Sequence, residues 1–173
     1  MKDVKIYPNA KIIGAEYIEF GHDIIIDDFV FIYAKKRVRI GNYVHIAAFS
    51  SITGGEEVTF GDFSTLSWGC RIFTATDDFT EKGFGNSTVP EEHRNVYRDS
   101  VTLERFAIVG ANSVILPGVT LGEGVSVGAN SVVTRNLEPW GVYVGNRRIR
   151  DRDKTAVLAN FDRFCEKHGY PKS

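Results

Sequence analysis

Long apolar runs are missing from this chain of 173 residues. No stretch approaches the ~20 consecutive apolar residues that span a bilayer, so no membrane-spanning segment is expected. The opening, MKDVKIYPNA, lacks the apolar centre of a secretory leader, and a cytoplasmic protein is the simplest expectation. A surplus of either charge is missing too. Lys plus Arg number 21 and Asp plus Glu 22, which argues against a nucleic-acid binder driven by phosphate neutralisation. The two cysteines, Cys70 and Cys165, stand far apart and imply neither a disulfide framework nor a metal site. His22, His45, His93 and His168 include no closely spaced pair, so a three-histidine zinc centre is not expected. Proline is scarce at 5 while glycine reaches 17, which suggests many tight corners rather than a disordered chain.

What the chain has instead is a period. Leu103, Val109, Ile115, Leu121, Val127 and Val133 are apolar at strict steps of six, and Gly110, Gly122 and Gly128 follow three of them. Neither a helix nor an ordinary strand gives that step. Three short flat sides, each with one apolar residue pointing inward, make a triangular coil. Stacked coils then pair as parallel strands. The small residue after the inward one is expected to let the corner turn.

The upstream half keeps the same beat with a correction. Phe20, Ile26 and Ile32 are spaced by six, as are Ile40, Ile46 and Ile52, and again Phe60, Leu66 and Ile72. Between these triplets the step is eight, so Gly21, Gly41 and Gly61 recur every twenty residues. Two extra residues per coil are expected to bulge at one corner, near residues 35–37 and 55–57.

The stretch IVGANSVILPGVTLGEGVSVGANSVVT, residues 108–134, followed by YVGN, resembles the hexapeptide-repeat acyltransferases. The resemblance covers roughly residues 12–150 and is closest to the branch of galactoside, maltose, Nod-factor and polysaccharide O-acetyltransferases. It implies an all-β fold: a left-handed parallel β-helix of hexapeptide coils over residues 1–150, with a C-terminal α-helix and tail over 151–173. The left hand comes from the resemblance, since strand crossovers are usually right-handed. It also implies a homotrimer that binds acetyl-CoA as co-substrate in the clefts between neighbours, with no metal.

Residues 74–100 break the period, and a loop of this length inside a compact domain is a functional candidate. In the resembling enzymes a loop here walls the acceptor site and opens on a histidine base. Here Asp77 falls at or near that place, with Asp78 beside it, and the branch's nearby strand asparagine falls at Gly69. Acyl transfer to a hydroxyl needs a base for its proton. A free aspartate, with a pKa near 3.9, is a poor match, but two adjacent acids in a cleft can raise one of the pair. Asp77 is therefore one candidate base. His45, expected to project outward at a coil edge, is the second, and His93 in the loop is a third. Asp78, Glu81, Trp68 and His93 are candidates for acceptor contacts.

After residue 100 the repeat is unbroken. In the resembling family the pantetheine arm lies against small residues at the in-phase glycines, here Gly110, Ala111, Gly128 and Ala129. The CoA phosphates need cations. Arg135, Arg147, Arg148 and Arg150 are the candidates. Residues 153–168 carry Val157, Leu158, Phe161, Phe164 and Cys165 at helical spacing, ended by Gly169 and Pro171. That helix is expected to cover the C-terminal end of the coils.

The leading expectation is an acetyl-CoA-dependent O-acetyltransferase of a carbohydrate hydroxyl, such as a surface-polysaccharide sugar. The alternative is an N-acetyltransferase of a nucleotide-linked amino sugar, where a deprotonated amine attacks without strong base help. A non-catalytic structural trimer is the third reading.

Overall fold

The computed structural model describes residues 3–80 and 82–172. The six-residue beat builds three sheets of eight, six and five strands, parallel except for the last pair of the first sheet, wound in turn by a left-handed β-helix. The inward residues stack in register up each face. On the first face Ile26, Ile46, Leu66, Val109 and Val127 form one column. On the second, Ile32, Ile52, Ile72, Ile115 and Val133 do the same. On the third, Ile40, Phe60, Leu103 and Leu121 complete the core. All are buried, but the expectation of one inward residue per side is corrected: the residue two places before each, such as Ile24, Val30, Val44, Val58, Val101, Val119 and Val125, is buried in the same core, and only the residue between the two faces outward.

Partners lie twenty residues apart in the upper coils and eighteen in the lower ones. The two surplus residues bulge at the second corner, as expected, with bends at 35–36 and 54–56. There Lys36 pairs with Glu56 at 2.7 Å and Arg37 with Glu57 at 3.5 Å, coil against coil.

The corners turn differently from the sequence-based expectation. The residue after the inward one is not the turning residue. Gly110 has no positive φ; its small size is needed because an added Cβ would stand 2.6 Å from the Ala129 nitrogen in the next coil. The left-handed residue comes two positions later. At the first corner it is Phe29, Phe49, Gly69, Asn112 and Asn130, with φ between 56° and 68°. At the third it is Asp23, Tyr43, Phe63, Phe106, Gly124 and Trp140. A side chain in this region costs about 1–2 kcal/mol. Stacked rings return about 0.5–1.5 kcal/mol per pair beyond their burial, so a column of aromatics largely offsets the cost. Tyr43 stacks on Phe63 with centroids 4.9 Å apart, and Phe63 on Phe106 at 5.4 Å.

The helix, Lys154–His168, forms where the spacing placed it, capped by the Asp153 carboxylate on the Ala156 N–H and by Gly169. Its position corrects the expectation. It does not cover the C-terminal end; it runs back along the third corner. It starts with Lys154 over Trp140 and ends with Phe164 edge-on to Tyr43 at 5.1 Å. Phe161 and Cys165 are buried against this column, and Tyr170 hydrogen-bonds Asp62 and accepts from Asn42. The C-terminal end is closed by an antiparallel hairpin, Gly141–Val144 with Arg147–Asp151, whose Tyr143 enters the core. No helix among the described residues is long and apolar enough to cross a membrane.

Candidate active site

The interruption leaves at the second corner. The coils above and below it still pair, Leu66 with Val109, although forty-three residues separate them where the lower coils need eighteen. The extra length projects as an arm. Its root is a short antiparallel hairpin, Ala75–Asp77 with Val96–Arg98, which the polar composition did not announce. Thr74 anchors the start: it is buried, its hydroxyl donates to the Thr53 carbonyl at 3.1 Å, and it accepts from the Glu56 N–H at 3.0 Å. Gly54 must be glycine there, because an added Cβ would meet the Ala75 nitrogen at 2.5 Å. Arg98 donates to the Gly54 carbonyl at 2.6 Å, and the Asp99 N–H closes on Thr74 O at 3.1 Å.

The two adjacent acids do not act as a pair. Asp78 turns into the arm and accepts from Thr80 N–H at 2.8 Å, the Thr80 hydroxyl at 2.9 Å, Lys82 N–H at 3.2 Å and Asn95 at 3.0 Å. These donors, the Thr80 N–H first, hold its carboxyl well below the usual range. It is a turn-forming residue. Asp77 ends the hairpin strand, half-buried, and has a different partner, with its Oδ1 3.3 Å from an Arg94 nitrogen. An open cleft of ≈ 590 Å³ lies over this root, with Asp77 among Lys35, Arg94, Arg98, Tyr33 and Phe79. No histidine lines it. The Arg94 Nε is buried there without a partner among the described residues.

The other candidates are dispersed. His45 does project outward, from the first face, but its Nε2 meets Asp27 at 3.0 Å, away from the arm. His93 sits in a single 3-10 turn on the outer arm, its ring 6.1 Å from Phe84. Glu81 lies outside the described residues. Trp68 is at the first corner, 60% exposed, with its ring 5.7 Å from Phe49.

Gly110, Ala111, Gly128 and Ala129 share that first corner. The strand register puts Ser67, Gly110, Gly128 and Val144 in one outward column, and Val144 pairs with Arg147. Behind it a row of buried hydroxyls stitches coil to coil: Ser113 donates to Gly128 O at 3.1 Å and Ser131 to the same oxygen at 2.7 Å. Arg147 and Arg150 are exposed, with no side-chain partner among the described residues. Arg148 is committed to Asp151 at 2.8 Å and to backbone carbonyls, and Arg135 reaches Asn146 O at 3.5 Å. Sequence reasoning missed Ser67. Its hydroxyl makes no hydrogen bond among the described residues, and the available signal was its place directly after the inward Leu66, in line with Gly110.

A hexapeptide solenoid with a column of small residues along its first corner and a polar arm rising from its second is an architecture suited to an acyltransferase. Residues 100–135 match the bacterial transferase hexapeptide family (six repeats). The chain is 35% identical over 145 residues to the dTDP-4-amino-4,6-dideoxy-D-glucose acyltransferase of Escherichia coli, covering 83% of this chain and 76% of that one. It therefore belongs to the hexapeptide-repeat acyltransferases. AntD of Bacillus cereus, an N-acyltransferase solved with dTDP and 3-hydroxybutyryl-CoA, superposes with a TM-score of 0.89 at 35% identity, over 95% of this chain and 88% of that one. WbbJ of Escherichia coli, assigned to lipopolysaccharide biosynthesis as an O-acetyl transferase, is 32% identical over 121 residues, which cover 66% of this chain and 56% of WbbJ. Among the described residues no cluster of His, Cys, Asp or Glu is arranged to hold a metal.

Proposed function

We propose that this chain is an acyl-CoA-dependent N-acyltransferase of a nucleotide-linked amino sugar, assembled as a homotrimer. The observation that carries the reading is the cleft at the arm root, where three cations, Lys35, Arg94 and Arg98, surround one carboxylate, Asp77. A nucleotide diphosphate brings the negative charge that such a cleft suits; a neutral glycan hydroxyl brings none. Asp77 then takes the ammonium of the amino sugar and its proton, and the free amine attacks the thioester. A hydroxyl acceptor would need a stronger base, and none lines the cleft.

The relatives support this over the O-acetyl reading that the repeat suggests. The E. coli relative is an acyltransferase of dTDP-4-amino-4,6-dideoxy-D-glucose, and the AntD crystals hold dTDP or that amino sugar nucleotide with a coenzyme A. AntD was also solved with an aspartate and a serine, ten positions apart, substituted in turn. Asp77 and Ser67 stand ten positions apart here. In this reading Asp77 serves the amine, and the uncommitted Ser67 hydroxyl donates to the thioester oxygen as charge develops on it.

The acyl donor lies along the first corner. The third corner is closed by the helix, and the second is occupied by the bulges and the arm. Four strand spacings of about 4.8 Å separate Ser67 from Arg147, about 19 Å in all. An extended phosphopantetheine arm, about thirteen bonds from phosphorus to sulfur, spans about 16 Å at ~3.6 Å per three bonds. With its phosphates at the Arg147 side chain, its sulfur reaches the Ser67 coil. Neither of two cavities that Asp77 lines among the described residues includes a residue of that corner. In the trimer the arm of one copy meets the corner of the next.

The test is thiol release from acetyl-CoA with dTDP-4-amino-4,6-dideoxyglucose against a panel of neutral sugars. Turnover with the amino sugar nucleotide alone is expected. Turnover confined to hydroxyl acceptors would restore the O-acetyl reading, which the WbbJ likeness keeps in second place.

A further inference from the structure

Counting the arm out of the register exposes an odd member of the donor corner. Leu66 pairs with Val109 and Val109 with Val127, so Trp68, Ala111 and Ala129 occupy the same position in successive coils. Two of them carry a methyl group. The third, one coil further along, carries an indole. Its backbone is held to the coils on both sides: the Trp68 carbonyl accepts from Asn112 N–H at 2.8 Å, and the following Gly69 N–H donates to the Ala48 carbonyl at 2.9 Å. Its ring leans on Phe49, which stacks on Phe29 with centroids 5.1 Å apart and planes 9° from parallel. Three rings thus form a wall across the end of a track of small residues.

We infer that Trp68 is a specificity-determining residue: it closes the acyl end of the donor track and limits the transferred group to a short acyl chain such as acetyl. The inference rests on the donor placement given above, which brings the CoA sulfur to the Ser67–Trp68 coil. An acetyl group adds one methyl beyond the carbonyl and fits before the ring. A butyryl chain adds two further methylenes and meets the indole face. AntD, whose crystals hold 3-hydroxybutyryl-CoA, shows that the fold itself admits a four-carbon acyl group. The limit is therefore set by the side chains that line the corner. Each methylene that a pocket rejects is worth roughly tenfold or more in discrimination.

The experiment is calorimetric binding of CoA, acetyl-CoA, propionyl-CoA and butyryl-CoA to the intact protein and to Trp68→Ala and Trp68→Phe, with no acceptor present. The native protein is expected to bind acetyl-CoA at least tenfold more tightly than butyryl-CoA. Trp68→Ala is expected to reduce that preference at least tenfold while its affinity for CoA itself stays within about twofold, and Trp68→Phe to fall between. Equal affinity for all four thioester and thiol ligands in the native protein, or an unchanged preference in Trp68→Ala, overturns the role of Trp68 while the donor site stands. Failure of every ligand to bind the native protein overturns the donor site and this inference together. Trp68→Phe keeps a ring in the column, so a folding defect confined to Trp68→Ala still leaves the preference measurable.

Discussion

Two corners of this solenoid solve the same problem and meet different fates. Both turn through left-handed residues, five at the first corner and six at the third, and both fill some of those positions with aromatic rings. At the third corner the rings of Tyr43, Phe63, Phe106 and Trp140 are covered by the helix. At the first corner Phe29 and Phe49 stay 56% and 51% exposed, followed down the column by Gly69, Asn112 and Asn130. The backbone demands the turn at both places. What lies over the turn decides whether it becomes core or working surface. The one α-helix among the described residues closes one corner and leaves the other open.

Breaking the closed corner should have the largest effect. Phe161→Ala removes a buried ring that meets Phe63 and Phe106 edge-on, and about 3–5 kcal/mol of stability is expected to go with it in urea unfolding. The same change at Phe49 is expected to cost under about 1 kcal/mol, because half of that ring is already in water. Comparable losses would mean that the first corner is covered as firmly as the third.

The next effect separates arm from corner. Asp77→Asn is expected to lower acyl transfer by about 10²-fold or more with acyl-CoA affinity unchanged. A change confined to the acceptor KM would make Asp77 a binding group alone. Ala129→Trp should block the donor track and abolish transfer by itself. Mixed trimers of the two variants are expected to regain activity, since some interfaces then carry an intact arm and an intact corner. Mixtures that stay inactive would place both halves of the site in one chain.

A smaller change tests the far end of the donor track. Arg147→Ala is expected to raise the KM for acyl-CoA about tenfold, about 1.4 kcal/mol. Arg148→Ala should leave it alone, because Arg148 is spent on Asp151 and on the Pro139 and Trp140 carbonyls. Equal effects would remove that distinction.

The smallest effect concerns the clamp at the end of the helix. Burial first, then the Asp62 carboxylate, pushes the Tyr170 phenol up to about 12. The unfolded chain gives up that proton near pH 10. The folded state therefore holds more protons between these values, and stability falls as pH rises from 10 toward 12. Below pH 10 the contribution is complete. Tyr170→Phe should flatten this alkaline limb; an unchanged slope would assign it to other groups.

Much of the fold is legible in the order of the amino acids. The step of six decides which residues lead each side into the core, and the period-two alternation of a strand sends the residue two places earlier in with them, which the apolar step alone did not announce. The step of eight decides where the extra residues bulge. What escapes is whatever depends on contacts across coils. Gly110 reads as a turning residue, yet its size answers to Ala129 in the coil beneath. Phe164 reads as half of an apolar stripe, but nothing local says that it meets Tyr43, so the stripe alone assigns the helix to the wrong surface. Asp77 and Asp78 are indistinguishable as letters. The hairpin register separates them: Asp77 pairs with Val96 at the end of the strand, and Asp78 falls into the turn. The arm hides the alignment of Trp68 with Ala111, and it hides that of Ser67 with Gly110 in the same way.

The arm has one more consequence. It enters through Thr74 and returns by Ser100, and the coils on either side stack as though nothing had been inserted, with Val58 against Val101 and Ile72 against Ile115. Loop closure is cheap in length, about 0.6 kcal/mol for each doubling. The segment between these two anchors is thus a replaceable cassette. A lineage can exchange it for a longer, shorter or differently charged one while the scaffold beneath is inherited unchanged.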